Sequence, residues 1–249
     1  MIGMISGAYK IRVPKKGVTM KDKDPSKESE KLREYWESRR KEWEKSEYES
    51  SFGYRVYWER MLKRVEGVKT SLEIGFGDGR WIRFLKNQGI DAFGIDIMEN
   101  AALVLKKEGF SPVIADARFV PFKDDTFDLT FSFGVVEHFE GTEEAVAEHV
   151  RVTRPGGKII ITVPYLFSPF TVYWMLMHMK RGTFSERPAS FGKRYSKREF
   201  RMILERVDTE NVKVESFVFP IPKLRKIYHE NPILNRLGWM IWTEMTKKD

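Results

Sequence analysis

The segment Glu73-Ile-Gly75-Phe-Gly77-Asp-Gly79 places three glycines at alternate positions. Such a run permits a tight turn and lets a ligand approach the backbone closely. A helix starting just beyond it would offer unpaired N–H groups to a polar or anionic group. Two familiar phosphate loops do not fit. A dinucleotide fingerprint needs Gly-x-Gly-x-x-Gly, and its last slot falls on Arg80 counted from Gly75, or on Ile82 counted from Gly77. No Gly-Lys-Ser/Thr follows, so the P-loop also fails.

The glycine turn has companions further along the chain. The run Ile90-Asp-Ala-Phe-Gly-Ile-Asp96 ends in a carboxylate 17 residues after Gly79. A carboxylate so placed can accept hydrogen bonds from both hydroxyls of a ribose. A third run ends in Asp116-Ala117, where a side-chain acceptor and a backbone donor could read an adenine edge. A fourth ends in Ser132-Phe-Gly-Val-Val-Glu-His138. The plainer alternatives are a loop-capping Asp116 and an Ile97 that belongs to the core. Of the four histidines, His138 is the candidate general base, paired in sequence with Glu137, while His149, His178 and His229 read as surface or packing residues. The four are scattered and the chain has no Cys, so no metal site, disulfide or cysteine nucleophile is expected.

These residues need strands to carry them and helices to return the chain. Strand-like runs at Ser71–Phe76, Ile90–Ile97, Pro112–Asp116, Phe127–Phe133 and Lys158–Pro164 alternate with helix-like runs at Arg80–Gln88, Ala101–Glu108 and Glu143–Val152. Gly89 and Gly109 read as left-handed stops, and Thr142 as a helix cap. This order at this spacing predicts a parallel sheet with helices on both faces, and ligands bind such sheets at the carboxyl ends of their strands. Before it, Asp24-Pro25 opens a long polar helix to about Glu49, and a second helix covers roughly Tyr54 to Val65. After it, Ser196 and Glu199 form a capping box, and two alternating runs, Asn211–Phe219 and Gly238–Thr246, predict late strands.

The ordered set E-x-G-x-G-x-G, GID, AD with a following PF, FDLTFSFGVVEHF and RPGGKIIITVP resembles the class I S-adenosylmethionine-dependent methyltransferases, closest to the broad "type 11" group. The resemblance covers about residues 70–164, and Ser196–Leu204 with the two late strands extends it. It implies an α/β, Rossmann-like, mostly parallel sheet of seven strands, the last antiparallel, with helices on both faces and a helical cap. It implies S-adenosyl-L-methionine as cofactor and S-adenosyl-L-homocysteine as product. Carried over by position, Gly75, Gly77 and Gly79 would pass under the methionine part, with Glu73 orienting that loop. Asp96 would bind the ribose and Ile97 pack on adenine. Asp116 would accept from the adenine amino group, Ala117 N–H would donate to the ring, and Ser132 and Phe133 would line the methionine and sulfonium. A sulfonium methyl is already activated, so the protein has mainly to align a nucleophile in line and exclude water. A base such as His138 is needed only where the acceptor must first lose a proton.

The implied domain plan is a loose arm at 1–23, a helical cap at 24–66, and a methyltransferase domain at 67–249 with cap insertions at about 165–195 and 220–236. The net charge of +8 is unevenly spread. Residues 1–70 hold 18 basic and 12 acidic side chains, residues 71–163 hold 10 and 15, and the remainder 16 and 9. Basic flanks point to an anionic partner such as RNA, a phospholipid headgroup or a phosphorylated metabolite, or else to an ordinary Lys/Glu-rich solvated surface. No N/D/S-P-P-Y/F/W follows the fourth strand, which disfavours amino-methylating nucleic-acid enzymes. A small-molecule or lipid-like acceptor is therefore expected, with RNA as the alternative and a non-catalytic cofactor-binding subunit as a third reading. Tyr165–Met179 is too short and too broken to span a membrane, and the N-terminus lacks a signal-peptide pattern, so a cytoplasmic location is expected.

Overall fold

The computed structural model describes residues 25–44, 52–180, 192–217 and 238–249. The elements run α1 (Pro25–Glu44), α2 (Phe52–Leu62), β1 (Thr70–Ile74), α3 (Arg80–Asn87), β2 (Asp91–Asp96), α4 (Glu99–Lys107), β3 (Val113–Ile114), β4 (Phe127–Phe133), α5 (Thr142–Val152), β5 (Thr153–Pro164), α6 (Pro169–Lys180), α7 (Lys197–Leu204), β6 (Thr209–Phe217) and β7 (Met240–Lys247). The expected loose arm at 1–23 and insertion at 220–236 lie outside the described residues.

All seven strands join one sheet in the order β3-β2-β1-β4-β5-β7-β6. β1 through β5 pair in parallel, and β7 runs antiparallel to both β5 and β6. The mostly parallel seven-stranded sheet with an antiparallel last strand is as expected. Strand order reverses between β1 and its neighbours β2 and β4, which opens a crevice at the carboxyl ends of these strands.

Alternation along the central strands divides the core into two layers. Leu72, Ile74, Ile159 and Ile161 pack with α5 and α7, through Val146, Val150, Phe200 and Leu204. Leu129, Phe131, Ile160 and Trp242 pack on the other face with α2, α3 and α4, through Met61, Phe84, Leu85 and Leu105. The cap aromatics Tyr57 and Trp58 belong to this second layer. Tyr57 meets Phe133 and Phe217 edge-on at 4.8 Å each.

Local sequence explains most element ends. Ser196 Oγ accepts the Glu199 N–H at 3.0 Å and starts α7. Gly89 (φ 76°) and Gly109 (φ 87°) take the left-handed conformation just beyond α3 and α4. Two expectations are corrected. Gly141, not Thr142, caps α5; the Thr142 hydroxyl turns away to donate to the Val136 carbonyl at 2.9 Å and to meet the Tyr195 hydroxyl at 2.8 Å. β5 begins at Thr153 rather than Lys158, because Arg154-Pro155-Gly156-Gly157 is taken into the strand across an irregularity in its pairing with β4.

Candidate functional site

The glycine turn leaves β1 and folds back on β2. Gly75 and Phe76 N–H groups both donate to the Ile95 carbonyl, at 2.8 and 3.2 Å. Gly75, Gly77 and Gly79 have φ of 78°, 54° and 77°, a region other residues enter only with strain. A Cβ on Gly75 would run into Val135, and one on Gly79 into Leu105 of α4. The Gly77 N–H donates to Asp96 Oδ2 at 2.8 Å, and the Met98 N–H to Oδ1 at 2.9 Å. Asp96 thus joins the turn to the end of β2. Burial pushes its carboxyl up to about 6, against the opposing effect of these backbone donors.

A crevice of about 250 Å³ opens beside this turn. Gly75, Gly77, Asp96, Ile97, Asp116 and Ala117 line it on the sheet side. Phe133 and His138 extend the wall, and Leu32 and Trp36 of α1 close over it. The cradle left open by Gly75, the carboxylate of Asp96 and the apolar surfaces of Ile97 and Ala117 suit a nucleoside bearing a short polar tail.

Several expected site residues do other work. Ser132 does not line the crevice. Its strand position turns it to the opposite face, where it is fully buried and its hydroxyl meets His149 Nε2 at 3.0 Å. His149 is fully buried, the packing alternative expected of it, with Nδ1 at 2.7 Å from the Ala145 carbonyl, and burial pushes its imidazole down to about 4. Glu73 lies in β1 beneath the loop, 3% exposed, with Oε2 unpartnered; burial and the neighbouring Asp78 and Asp96 hold its carboxyl well above the usual range. Asp116 is already saturated. Its Oδ1 accepts from Arg118 N and Nε at 2.9 and 3.0 Å, and its Oδ2 from Arg118 Nη2 at 2.7 Å and from the Ser29 hydroxyl. Four donors fill a carboxylate's acceptor sites, so an adenine amino group would have to displace one of them.

Arg118 is the functional neighbour that sequence reading missed. Its side chain is 7% exposed, and its Nη1 reaches Glu28 of α1 at 2.5 Å. Glu28 in turn accepts the Glu140 N–H at 3.0 Å. Ser29, Glu28, Arg118 and Asp116 therefore pin α1 across the crevice. Asp116 and Arg118 stand two residues apart, but nothing local marks a partner some 90 positions earlier.

Glu137 and His138 sit where the crevice meets a second recess of about 590 Å³. His138 packs edge-on against Trp36 at 4.8 Å. Its Nε2 lies 3.7 Å from Glu137 Oε1, and its Nδ1 is buried with no hydrogen-bond partner. Burial pushes the imidazole down to about 4 and the Glu137 carboxyl up to about 8. Both groups are thus mainly uncharged near neutrality. Among the described residues the recess wall also carries Glu28, Glu140, Glu143 and Glu144, against a single Lys193. Among the described residues no group of His, Asp and Glu could hold a metal ion.

A strand order that reverses beside a glycine turn, ending in an antiparallel hairpin, defines a Rossmann-like methyltransferase fold. Residues 72–161 match the methyltransferase-domain family. Over 187 residues the chain is 28% identical to uncharacterized protein MJ1252 of Methanocaldococcus jannaschii, covering 74% of this chain and 69% of that one. It is 32% identical over 115 residues to phosphoethanolamine N-methyltransferase 2 of Caenorhabditis elegans, covering 42% of this chain and 26% of the relative. It is 28% identical over 112 residues to the tRNA (carboxymethyluridine(34)-5-O)-methyltransferase ALKBH8 of Mus musculus, covering 43% of this chain and 17% of the relative. Among solved structures, a SAM-dependent methyltransferase from Archaeoglobus fulgidus superposes with a TM-score of 0.59 at 20% identity, covering 80% of this chain and 96% of that one. Residues 72–161 therefore carry a methyltransferase domain, and over that part the chain is similar to S-adenosylmethionine-dependent methyltransferases.

Proposed function

We propose that this enzyme transfers the methyl group of S-adenosyl-L-methionine to a small-molecule or lipid-like acceptor held in the recess beside the crevice. The observation that carries this reading is that crevice and recess meet at His138 and Phe139, so that two ligands can lie end to end under one helix. In this reading the glycine turn and Asp96 hold the amino-acid and ribose parts of the cofactor. Ile97 and Ala117 flank its base, and Phe133 faces the reacting centre. When bound, the cofactor supplies a sulfonium methyl ready for displacement. The protein's part is then to align and to keep dry. Leu32 and Trp36 cover the crevice and exclude water, and His138 offers a neutral imidazole at the junction. With its affinity for protons lowered to about 4, His138 suits an orienting hydrogen-bond acceptor better than a base at neutral pH.

The alternative acceptor is RNA, supported by the basic flanks and by the tRNA-modifying relative. The recess argues against it. Among the described residues the wall carries Glu140 and Glu144, and a phosphate backbone laid across them would meet like charge, where polynucleotide binders place Lys and Arg. A lipid-like acceptor draws support from α6, whose Tyr173, Leu176 and Met179 are all exposed. No described helix is long and apolar enough to cross a membrane. Cytoplasmic action, and a cap formed by residues 24–66 over a catalytic domain at 67–249, complete the proposal.

The test is incubation with labelled methyl donor and fractionated cell extract. Label in a small-molecule or lipid fraction, undiminished by RNase, supports the reading. Label confined to RNA overturns it.

A further inference from the structure

The recess is acidic in a particular way. Glu28 is neutralised by Arg118, and Glu143 pairs with Arg206 at 2.6 Å. Among the described residues the one lining cation is Lys193, which is turned to Glu199 at 2.9 Å. Among the described residues Glu137 has no such partner, its one basic neighbour being the His138 imidazole at 3.7 Å. Its side chain is 2% exposed and lines the recess, yet its Oε2 makes no hydrogen bond. Gly192 packs against it so closely that a Cβ there would collide, and the Lys193 N–H donates to the Glu137 backbone carbonyl at 2.7 Å. The carboxyl is thus held in place by backbone, with one oxygen left over. A buried acceptor without a donor is destabilising, and a bound donor would recover that loss. Next to it, Phe139 and Tyr195 supply apolar wall.

We infer that the methyl acceptor is an amine that enters the recess as its ammonium ion, donates a hydrogen bond to Glu137, and is methylated on nitrogen. This rests on the reading that the recess takes the acceptor. The step balances as follows. The entering ammonium favours the ionised carboxylate, so Glu137 gives up its own proton to water on binding; an ammonium N–H bond then breaks and that proton goes to the Glu137 carboxylate. The freed nitrogen lone pair forms the N–C bond as the C–S bond breaks and that pair stays on sulfur. The product leaves as an N-methyl ammonium ion, and Glu137 returns its proton to water. Of the two neighbouring groups Glu137 is the better proton acceptor, since its affinity, raised to about 8, lies far closer to that of an amine than does His138 at about 4.

The test uses the whole chain saturated with S-adenosyl-L-homocysteine. Phenethylammonium, 2-phenylethanol and phenylacetate are compared by ligand-observed NMR and calorimetry. The ammonium is expected to bind at least about tenfold tighter than the alcohol, with phenylacetate weakest. Glu137→Gln should abolish that preference, and Glu144→Gln, at a half-buried position, should reduce it several-fold. Equal binding of alcohol and ammonium, or a full preference retained in both variants, overturns the inference. If S-adenosyl-L-homocysteine itself gives no heat, the cofactor reading fails and this inference with it. In the labelled extract, label recovered as an N-methyl amine supports the inference. Label in an O-methyl product overturns it while leaving the small-acceptor reading intact, and label in RNA overturns both.

Discussion

The Asp96 carboxylate holds the Gly77 amide at 2.8 Å, so the acid at the tip of β2 and the middle glycine of the turn after β1 form one unit. A residue expected only to touch ligand also shapes the loop expected to touch it. Asp96→Ala should therefore weaken S-adenosyl-L-homocysteine binding by about 1–3 kcal/mol, through lost charge-assisted hydrogen bonds and a loosened turn. Because burial raises the carboxyl to about 6, cofactor affinity in the wild type should decline as pH falls from 7 to 5. Calorimetry across that range checks both statements. An affinity indifferent to the substitution would remove Asp96 from the site.

Ser132 and His149 form a pair with no access to the crevice. Ser132→Ala leaves a buried imidazole nitrogen without a partner and should cost about 1–2 kcal/mol of stability with cofactor affinity unchanged. The two buried histidines also set an acid limit. Their imidazoles are held at about 4, below the ordinary 6.5, so the folded form binds fewer protons than the unfolded one. Stability from this source is full above pH 6.5 and drains as pH falls toward 4. Unfolding free energies from urea titrations between pH 7 and pH 5 should fall by no more than about 1.4 kcal/mol per pH unit for each histidine.

His138→Ala removes the imidazole at the junction of the two recesses. Turnover at saturating cofactor should fall by roughly tenfold or more, with S-adenosyl-L-homocysteine affinity kept within about twofold. Steady-state kinetics and calorimetry on one preparation separate the two. Unchanged turnover would leave His138 as packing for Trp36.

What the sequence made legible and what it did not divide along one physical line. Gly75, Gly77, Asp96, Asp116 and Ala117 stand at strand ends, where hydrophobic runs break at polar or glycine residues, and three such breaks in order imply their convergence. Ser132 was misplaced by a single residue of strand phase, since Phe133 beside it does reach the crevice. The saturation of Asp116 by Arg118 and Ser29 depends on α1 lying across the sheet, a long-range packing event with no local signature. The acidity of the recess was hidden for the same reason. The whole chain is basic, while the wall gathers Glu28 from α1, Glu140 from the loop before α5, and Glu143 and Glu144 from its first turn.

Arg118→Met tests the pin that holds α1. The substitution leaves Asp116 and Glu28 without their guanidinium, and breaking such a buried pair costs on the order of 3 kcal/mol. Loss of that magnitude should release α1 before it unfolds the sheet, because the helix is held at Asp116 chiefly through this network. Proteolysis within residues 25–44 should accelerate, and S-adenosyl-L-homocysteine should dissociate faster. Adding Asp116→Asn to Arg118→Met should recover part of the stability by removing the stranded charge. A protease pattern identical to wild type would show that other contacts of α1, such as Arg33 with Glu99 at 3.1 Å and the packing of Trp36 on His138, hold the helix down.

Glu137 gives the opposite pH signature to the histidines. Its folded-state proton affinity, near 8, exceeds the ordinary 4.5, so the folded protein binds this proton more tightly than the unfolded chain does. The resulting stability is full below pH 4.5 and is lost as pH rises through 8, at up to about 1.4 kcal/mol per pH unit. Glu137→Gln replaces the carboxyl with an uncharged group of the same shape and should remove that slope. Thermal midpoints of the two proteins should nearly coincide at pH 5 and diverge toward pH 8.5, with the variant the more stable. An amine bound in the recess reverses the trend for the wild type alone, because the ionised carboxylate then has a cation to face. Parallel curves for the two proteins across this range would mean that Glu137 is ionised and solvated, and so could not be the buried acceptor on which the recess depends.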